Sequence, residues 1–135
     1  MNKGLSVDER ELLEAACAAR SNAYAWYSGV AIGAAVRSTT GRVYAGCNVE
    51  NTSYGLSMCA ERVAIFKAVG DGDIEITQLA LFADGLGSVH PCGACRQVLE
   101  EFSKDAQIII SGPHGETKVF GIRELFPQPF RLEDS

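Results

Sequence analysis

Ser57 to Ser103 reads SMCAERVAIFKAVGDGDIEITQLALFADGLGSVHPCGACRQVLEEFS, and the order of elements in it decides the architecture. CAERVAIFKAVG continues a helix expected to start near Ser57, and Gly70 with the Asp71-Gly72-Asp73 cluster stops it. ITQLALFA has the apolar character of a buried strand. The loop DGLGSVHP follows, and Pro91, which suits the opening of a helix, leads into CGACRQVLEEFS. Cys59, Cys92 and Cys95 all fall in first turns on this reading.

Working outward from that segment, Ser6 with Glu9 forms a capping-box pattern, and Leu12, Leu13, Ala16 and Ala19 recur behind it at helical spacing. A helix over residues 7 to 20 is expected. VAIGAAVRS and VYAGCNV, separated by Thr39-Thr40-Gly41-Arg42, predict a β-hairpin over residues 30 to 49, with Asn48 and Glu50 at its exit. Beyond the third helix, QIIIS and TKVFG predict two further strands and IRELFP a short closing helix. Hairpin-joined strands interleaved with helices make a mixed five-stranded sheet with helices on its faces, an α/β fold.

With 135 residues, 47% of them hydrophobic and 21% charged, the chain suits one globular domain over residues 1 to 135. The N-terminus carries acidic residues where a secretory signal has an apolar core, and no run approaches the roughly 20 apolar residues that span a bilayer. A cytoplasmic protein is expected, in which the five cysteines stay reduced and serve as ligands or buried thiols. A net charge of −5 disfavours a nucleic-acid partner held through phosphates and leaves small-molecule chemistry as the expectation.

Two cysteines three apart on a helical first turn, Cys92 and Cys95, point to one side and suit a metal. Cys59 opens another helix and is followed two residues later by Glu61. A ligand, a spacer and a glutamate, then Pro-Cys-x-x-Cys, is the two-part pattern of zinc deaminases, here with Cys in place of His as the first ligand. Three thiolates leave one tetrahedral position of a single Zn²⁺ open for water, the arrangement of catalytic sites. They also outweigh the charge of the ion. Two helix N-termini and Arg62, placed to donate to the ligand sulfurs, are the expected compensation, with Arg96 a second choice. Glu61 is expected to move protons without binding the metal. The competing readings are a structural zinc knuckle with a fourth ligand from His90, His114, Cys47 or Cys17, and a thioredoxin-like pair at Cys92 and Cys95. The first has no need of Glu61, and the second leaves Cys59 without a role.

Taken together, Tyr24 to Gly33, GCNVENTSYG, CAER, PCGACRQ with LEEF, and ELFPQPF resemble the short, three-cysteine cytidine deaminases along nearly the whole chain. The resemblance implies a three-layer α/β/α sandwich, hydrolytic deamination of cytidine and deoxycytidine in pyrimidine salvage, and a homotetramer with shared active sites. It also implies that Asn48 and Glu50 bind the ribose hydroxyls, that backbone groups of Ala60 and Cys92 read the pyrimidine edge, and that Phe130 covers the base of a neighbouring site. Tyr54 and Gly55 are expected near the subunit junction. Two positions depart from the pattern: Trp26 stands where the family has Pro, and Val30 where a Phe packs on the pyrimidine. The change at Val30 keeps open a related aminopyrimidine nucleoside, blasticidin-like or base-modified, as substrate. A polynucleotide-editing deaminase fits less well, since it needs basic and aromatic surface for a strand. His90, directly before Pro91, is placed to form a pocket wall or to donate to a ligand, and His114 is expected to be exposed in a Gly-Pro-His-Gly turn.

Overall fold

The computed structural model describes residues 4–83, 89–112 and 116–132. Helix α1 spans Val7–Arg20 and opens on the expected capping box: Glu9 N–H donates to Ser6 Oγ at 3.1 Å, and Ser6 N–H donates to the Glu9 carboxylate at 2.8 Å. The hairpin consists of β1, Ile32–Ser38, and β2, Val43–Cys47, with Gly33 opposite Cys47 and Arg37 opposite Val43. Gly41 supplies the positive φ of +88° that its turn requires. Then follow α2 (Ala60–Gly70), β3 (Ile76–Ala83), α3 (Gly93–Glu101), β4 (Gln107–Ser111), β5 (Thr117–Gly121) and α4 (Ile122–Leu125).

The strand order is β2-β1-β3-β4-β5. β3 and β4 run parallel, joined through α3, and the other neighbours are antiparallel. Alternation along each strand divides the core between two faces. Ala35, Ala80, Phe82 and Ile109 pack against Leu12, Leu13 and Ala16 of α1. Ala34, Val36, Leu79, Leu81, Ile108 and Ile110 turn the other way, onto Ala64, Ile65 and Ala68 of α2 and Leu99 of α3. This is the expected three-layer α/β/α sandwich. Contact on both faces is close where the sheet has no side chain: a Cβ on Gly33 would lie 1.8 Å from Ala16 O, and one on Gly46 would lie 2.7 Å from Ala64 N.

The structure corrects one boundary. α2 starts at Ala60 and not near Ser57, because Met58 exchanges two backbone hydrogen bonds with Val49, at 2.8 and 3.0 Å, and is held extended. A single 3₁₀ turn, Tyr54–Leu56, precedes it. Cys59 is therefore the N-cap of α2, and Cys92 the N-cap of α3, each in an extended conformation. Only Cys95 of the three lies within a first turn, as the third residue of α3.

Candidate active site

The tips of α2 and α3 meet with their N-caps facing each other. Neither cap cysteine uses its side chain to cap its own helix. Their sulfurs turn toward one another instead, Cys59 Sγ lying 3.9 Å from Cys92 Sγ, which is 3.4 Å from Cys95 Sγ. All three sulfurs lie within 4.8 Å of one another, and among the described residues no other His, Cys, Asp or Glu atom joins the cluster. A zinc ion with Zn–S bonds of about 2.3 Å places tetrahedral sulfurs about 3.8 Å apart, so the trio fits that ion. His90, Cys17 and Cys47 stand outside the cluster, and His114 lies outside the described residues. Cys17 and Cys47, expected to be buried, are half-buried.

Electrostatics around the sulfurs follow from their neighbours. Arg62 Nη2 donates to Cys59 Sγ at 3.3 Å, as the sequence suggests. The Cys59 thiol is pushed down to about 5 by its hydrogen bond with Cys95 and by the Arg62 guanidinium. Cys95, the proton holder in that pair and itself buried, is pushed up. Both helix N-termini add partial positive charge at the same point. Arg96 acts elsewhere: it donates to Pro91 O at 2.9 Å and to Leu125 O at 3.1 Å, fixing the lead into α3 against α4.

Glu61, the second residue of α2, is 4% exposed, and burial pushes its carboxyl up to about 7. It lines a cavity of about 400 Å³ together with Cys59, Ala60, Arg62 and Cys92. Ala60 is the first residue of α2, so its N–H has no partner within the helix. Val30, Ile32, Met58 and Val89 give the cavity aliphatic walls, and Ser28, Asn48, Glu50, Tyr54 and Ser57 a polar end.

That polar end is a set of loops tied across one another. Tyr24 N–H donates to Asn48 O, Glu50 N–H to Tyr24 O, and Asn48 N–H to Ile32 O. Asn48 is buried; its Oδ1 accepts from Ile32 N–H at 2.9 Å and its Nδ2 donates to Val30 O at 2.8 Å. Glu50 Oε1 accepts from the N–H groups of Tyr27 and Ser28, each at 3.0 Å, and Oε2 accepts from the Ser28 hydroxyl. The Ser28 hydroxyl, with these backbone bonds, holds the Glu50 carboxyl below its ordinary value. Both side chains therefore anchor the segment carrying Val30 while they line the cavity. The sequence offered no signal for this anchoring, since Glu50 and Ser28 are far apart in the chain and meet only through the fold. Trp26 does not fill the space beside Val30: it is 79% exposed, against Tyr24 at 6.1 Å between ring centroids. Phe130 is 69% exposed and lies outside the lining of this chain's cavity, while its carbonyl accepts from Gln97 Nε2 at 3.0 Å.

The model of the cytidine and deoxycytidylate deaminase zinc-binding region matches residues 6–111. The chain belongs to this deaminase family. The cytidine deaminase of Sporosarcina psychrophila is 40% identical to it over 129 residues, 95% of each chain. The 1.6 Å crystal structure of the cytidine deaminase from Burkholderia pseudomallei superposes with a TM-score of 0.85 at 42% identity, covering 90% of this chain and 98% of the other. The blasticidin-S deaminase of Bacillus cereus is more distant, 28% identical over 104 residues, 71% of this chain and 74% of its own. Membership of the deaminase family accounts for the donor set, because its zinc-binding region spans both cysteine segments.

Proposed function

We propose that the protein is a zinc-dependent deaminase that converts cytidine and deoxycytidine, with water, to uridine and deoxyuridine plus ammonia, in pyrimidine salvage. One observation carries the reading: three sulfurs at two helix tips converge beside a buried carboxyl, Glu61, that lies in the same cavity but outside the metal cluster. Cys59, Cys92 and Cys95 hold one Zn²⁺ per subunit. Zinc held there supplies a Lewis acid that makes water nucleophilic near neutral pH.

The chain's own residues do the rest. Arg62 and the two helix N-termini offset the negative charge of the sulfurs. Glu61 takes one proton from the attacking water and passes it to the ring nitrogen next to the amine-bearing carbon; it then takes the second from the hydroxyl now on that carbon and gives it to the amine, so that the carbon–nitrogen bond breaks, ammonia leaves and the carbonyl forms. One carboxyl serves in turn as base and acid, and a value near 7 suits both. The free N–H of Ala60 and the backbone of Cys92 read the pyrimidine edge. Asn48 and Glu50 bind the ribose hydroxyls with the lone pairs and the amide proton that their bonds to residues 27–32 leave over. Val30 forms an aliphatic wall.

Further parts of the reading rest on exposed surface and composition. Trp26, Tyr54, Leu56 and Phe130 are each at least 69% exposed, and apolar surface of this kind supports association of copies into a homotetramer in which Phe130 reaches a neighbouring site. No helix among the described residues is long and apolar enough to cross a membrane. With the acidic net charge of −5, that supports one catalytic domain acting in the cytoplasm on a small nucleoside and not on a nucleic acid. Ammonia release from cytidine, from a base-modified cytidine and from blasticidin S tests the substrate directly. Cytidine is expected to be turned over best, and a rate on cytidine hundreds of times below that on either analogue would overturn the salvage reading.

A further inference from the structure

His90 precedes Pro91 and stands two residues before Cys92, and it lines the same cavity as Cys59, Cys92 and Val30. A residue before proline is confined to extended conformations, and Arg96 fixes the next carbonyl by donating to Pro91 O at 2.9 Å. The imidazole itself leans on Phe120 of β5, ring centroids 5.4 Å apart at 48°. His90 is itself exposed, but its backbone and its ring are thus both positioned. Neither ring nitrogen has a hydrogen-bond partner among the described residues.

Two of the described cavity-lining residues carry aromatic rings, His90 and Tyr54. Tyr54 is 75% exposed and meets Tyr27 edge-on at the polar end, beside Glu50. His90 belongs to the metal end by its place two residues before Cys92. The other bulky walls are aliphatic, Val30 among them. Among the described residues of its own chain, a flat heteroaromatic ring brought to the metal by its amine-bearing carbon therefore meets one aromatic surface at that end, His90.

We infer that His90 is a specificity-determining residue whose imidazole packs against the pyrimidine ring, supplying the aromatic contact that Val30 does not. This rests on the deaminase reading above. Aromatic pairing of this kind strengthens binding roughly three- to tenfold, and a ring without a π face gains little from it.

The test uses the zinc-loaded full chain, its His90→Ala and His90→Phe variants, and zinc content equalised among the three. Calorimetry gives the affinity for uridine and for 5,6-dihydrouridine, whose saturated C5–C6 bond removes the ring's cyclic conjugation and flatness, and steady-state kinetics give kcat and KM for cytidine. His90→Ala is expected to weaken uridine roughly three- to tenfold and dihydrouridine less than about twofold. KM for cytidine should rise in parallel, with kcat falling by less than KM rises. His90→Phe should restore uridine to within about twofold of the parent. Equal losses for both ligands, no loss for either, or failure of Phe to rescue overturns the assignment. Absence of cytidine turnover by the parent overturns the deaminase reading instead, so the two failures are distinguishable.

Discussion

Glu61 sits at the meeting point of two requirements that conflict in water: a carboxyl must hold its proton near neutral pH, yet lie beside groups that need positive charge. Burial of the side chain to 4% exposure settles the first by penalising the ionised form. Arg62 settles the second, because its guanidinium donates to Cys59. Glu61→Gln keeps the size and removes the titrating proton. It is expected to retain one zinc per chain while kcat falls about 10²- to 10⁴-fold, read by metal analysis and ammonia release on the same sample. Arg62→Ala should act on the metal itself. Loss of a donor to a ligand typically weakens metal affinity about 10- to 100-fold, and competition with a chromophoric chelator measures it.

At the scale of elements, cysteines placed as N-caps do two things at once. They start α2 and α3 in the extended conformation a cap requires, and they free their sulfurs by leaving the cap hydrogen bond unmade. Those helix tips stay in register only if the sheet behind them is fixed, and glycine makes that packing close. Gly33 in β1 faces the backbone of α1, where any Cβ meets Ala16 O at 1.8 Å and Arg20 N at 2.7 Å. Both obstacles are backbone atoms, so neither can rotate away. Gly33→Ala should therefore cost more than the usual overpacking range of about 1–3 kcal/mol, seen as a lowered urea midpoint with an unchanged slope.

For the molecule as a whole, Glu100 joins parts distant in sequence. Its carboxylate, 7% exposed, receives Arg123 of α4 at 2.9 Å and Arg131 of the C-terminal segment at 2.7 Å. Burial opposes ionisation here, but the hydrogen bonds from Arg131 and Arg123 outweigh it and hold the carboxyl below its ordinary value of 4.5. A depressed folded value means that the stabilisation is complete above the ordinary carboxylate range and is lost as pH falls through the folded value. Glu100→Gln should thus cost about 1.5–3 kcal/mol near pH 7 and progressively less below about pH 4.5, as followed by urea unfolding across pH. The same clamp fixes the backbone that presents Phe130, so the variant also bears on how the C-terminal segment is held against α3.

Much of this was readable in one dimension because it depends on local chemistry. Helical spacing with the Ser6–Glu9 box placed α1, alternating and apolar runs placed the strands, and cysteines beside helix starts identified a three-sulfur metal site with Glu61 next to it. The start of α2 was misplaced for a physical reason: Met58 is held extended by Val49, and that pairing lies beyond any local propensity. Whether Asn48 and Glu50 end a strand or anchor the loop that carries Val30 depends on long-range hydrogen bonds to residues 27–32. The packing of His90 against Phe120 and the distance of Trp26 from the cavity are likewise decided where separate elements meet. The chain alone determined which groups are offered to the proposed chemistry, since spacing along a helix or strand sets where neighbours point. Only the folded sheet decided which of them share one enclosed space, because contacts between distant segments are set by packing across the whole core.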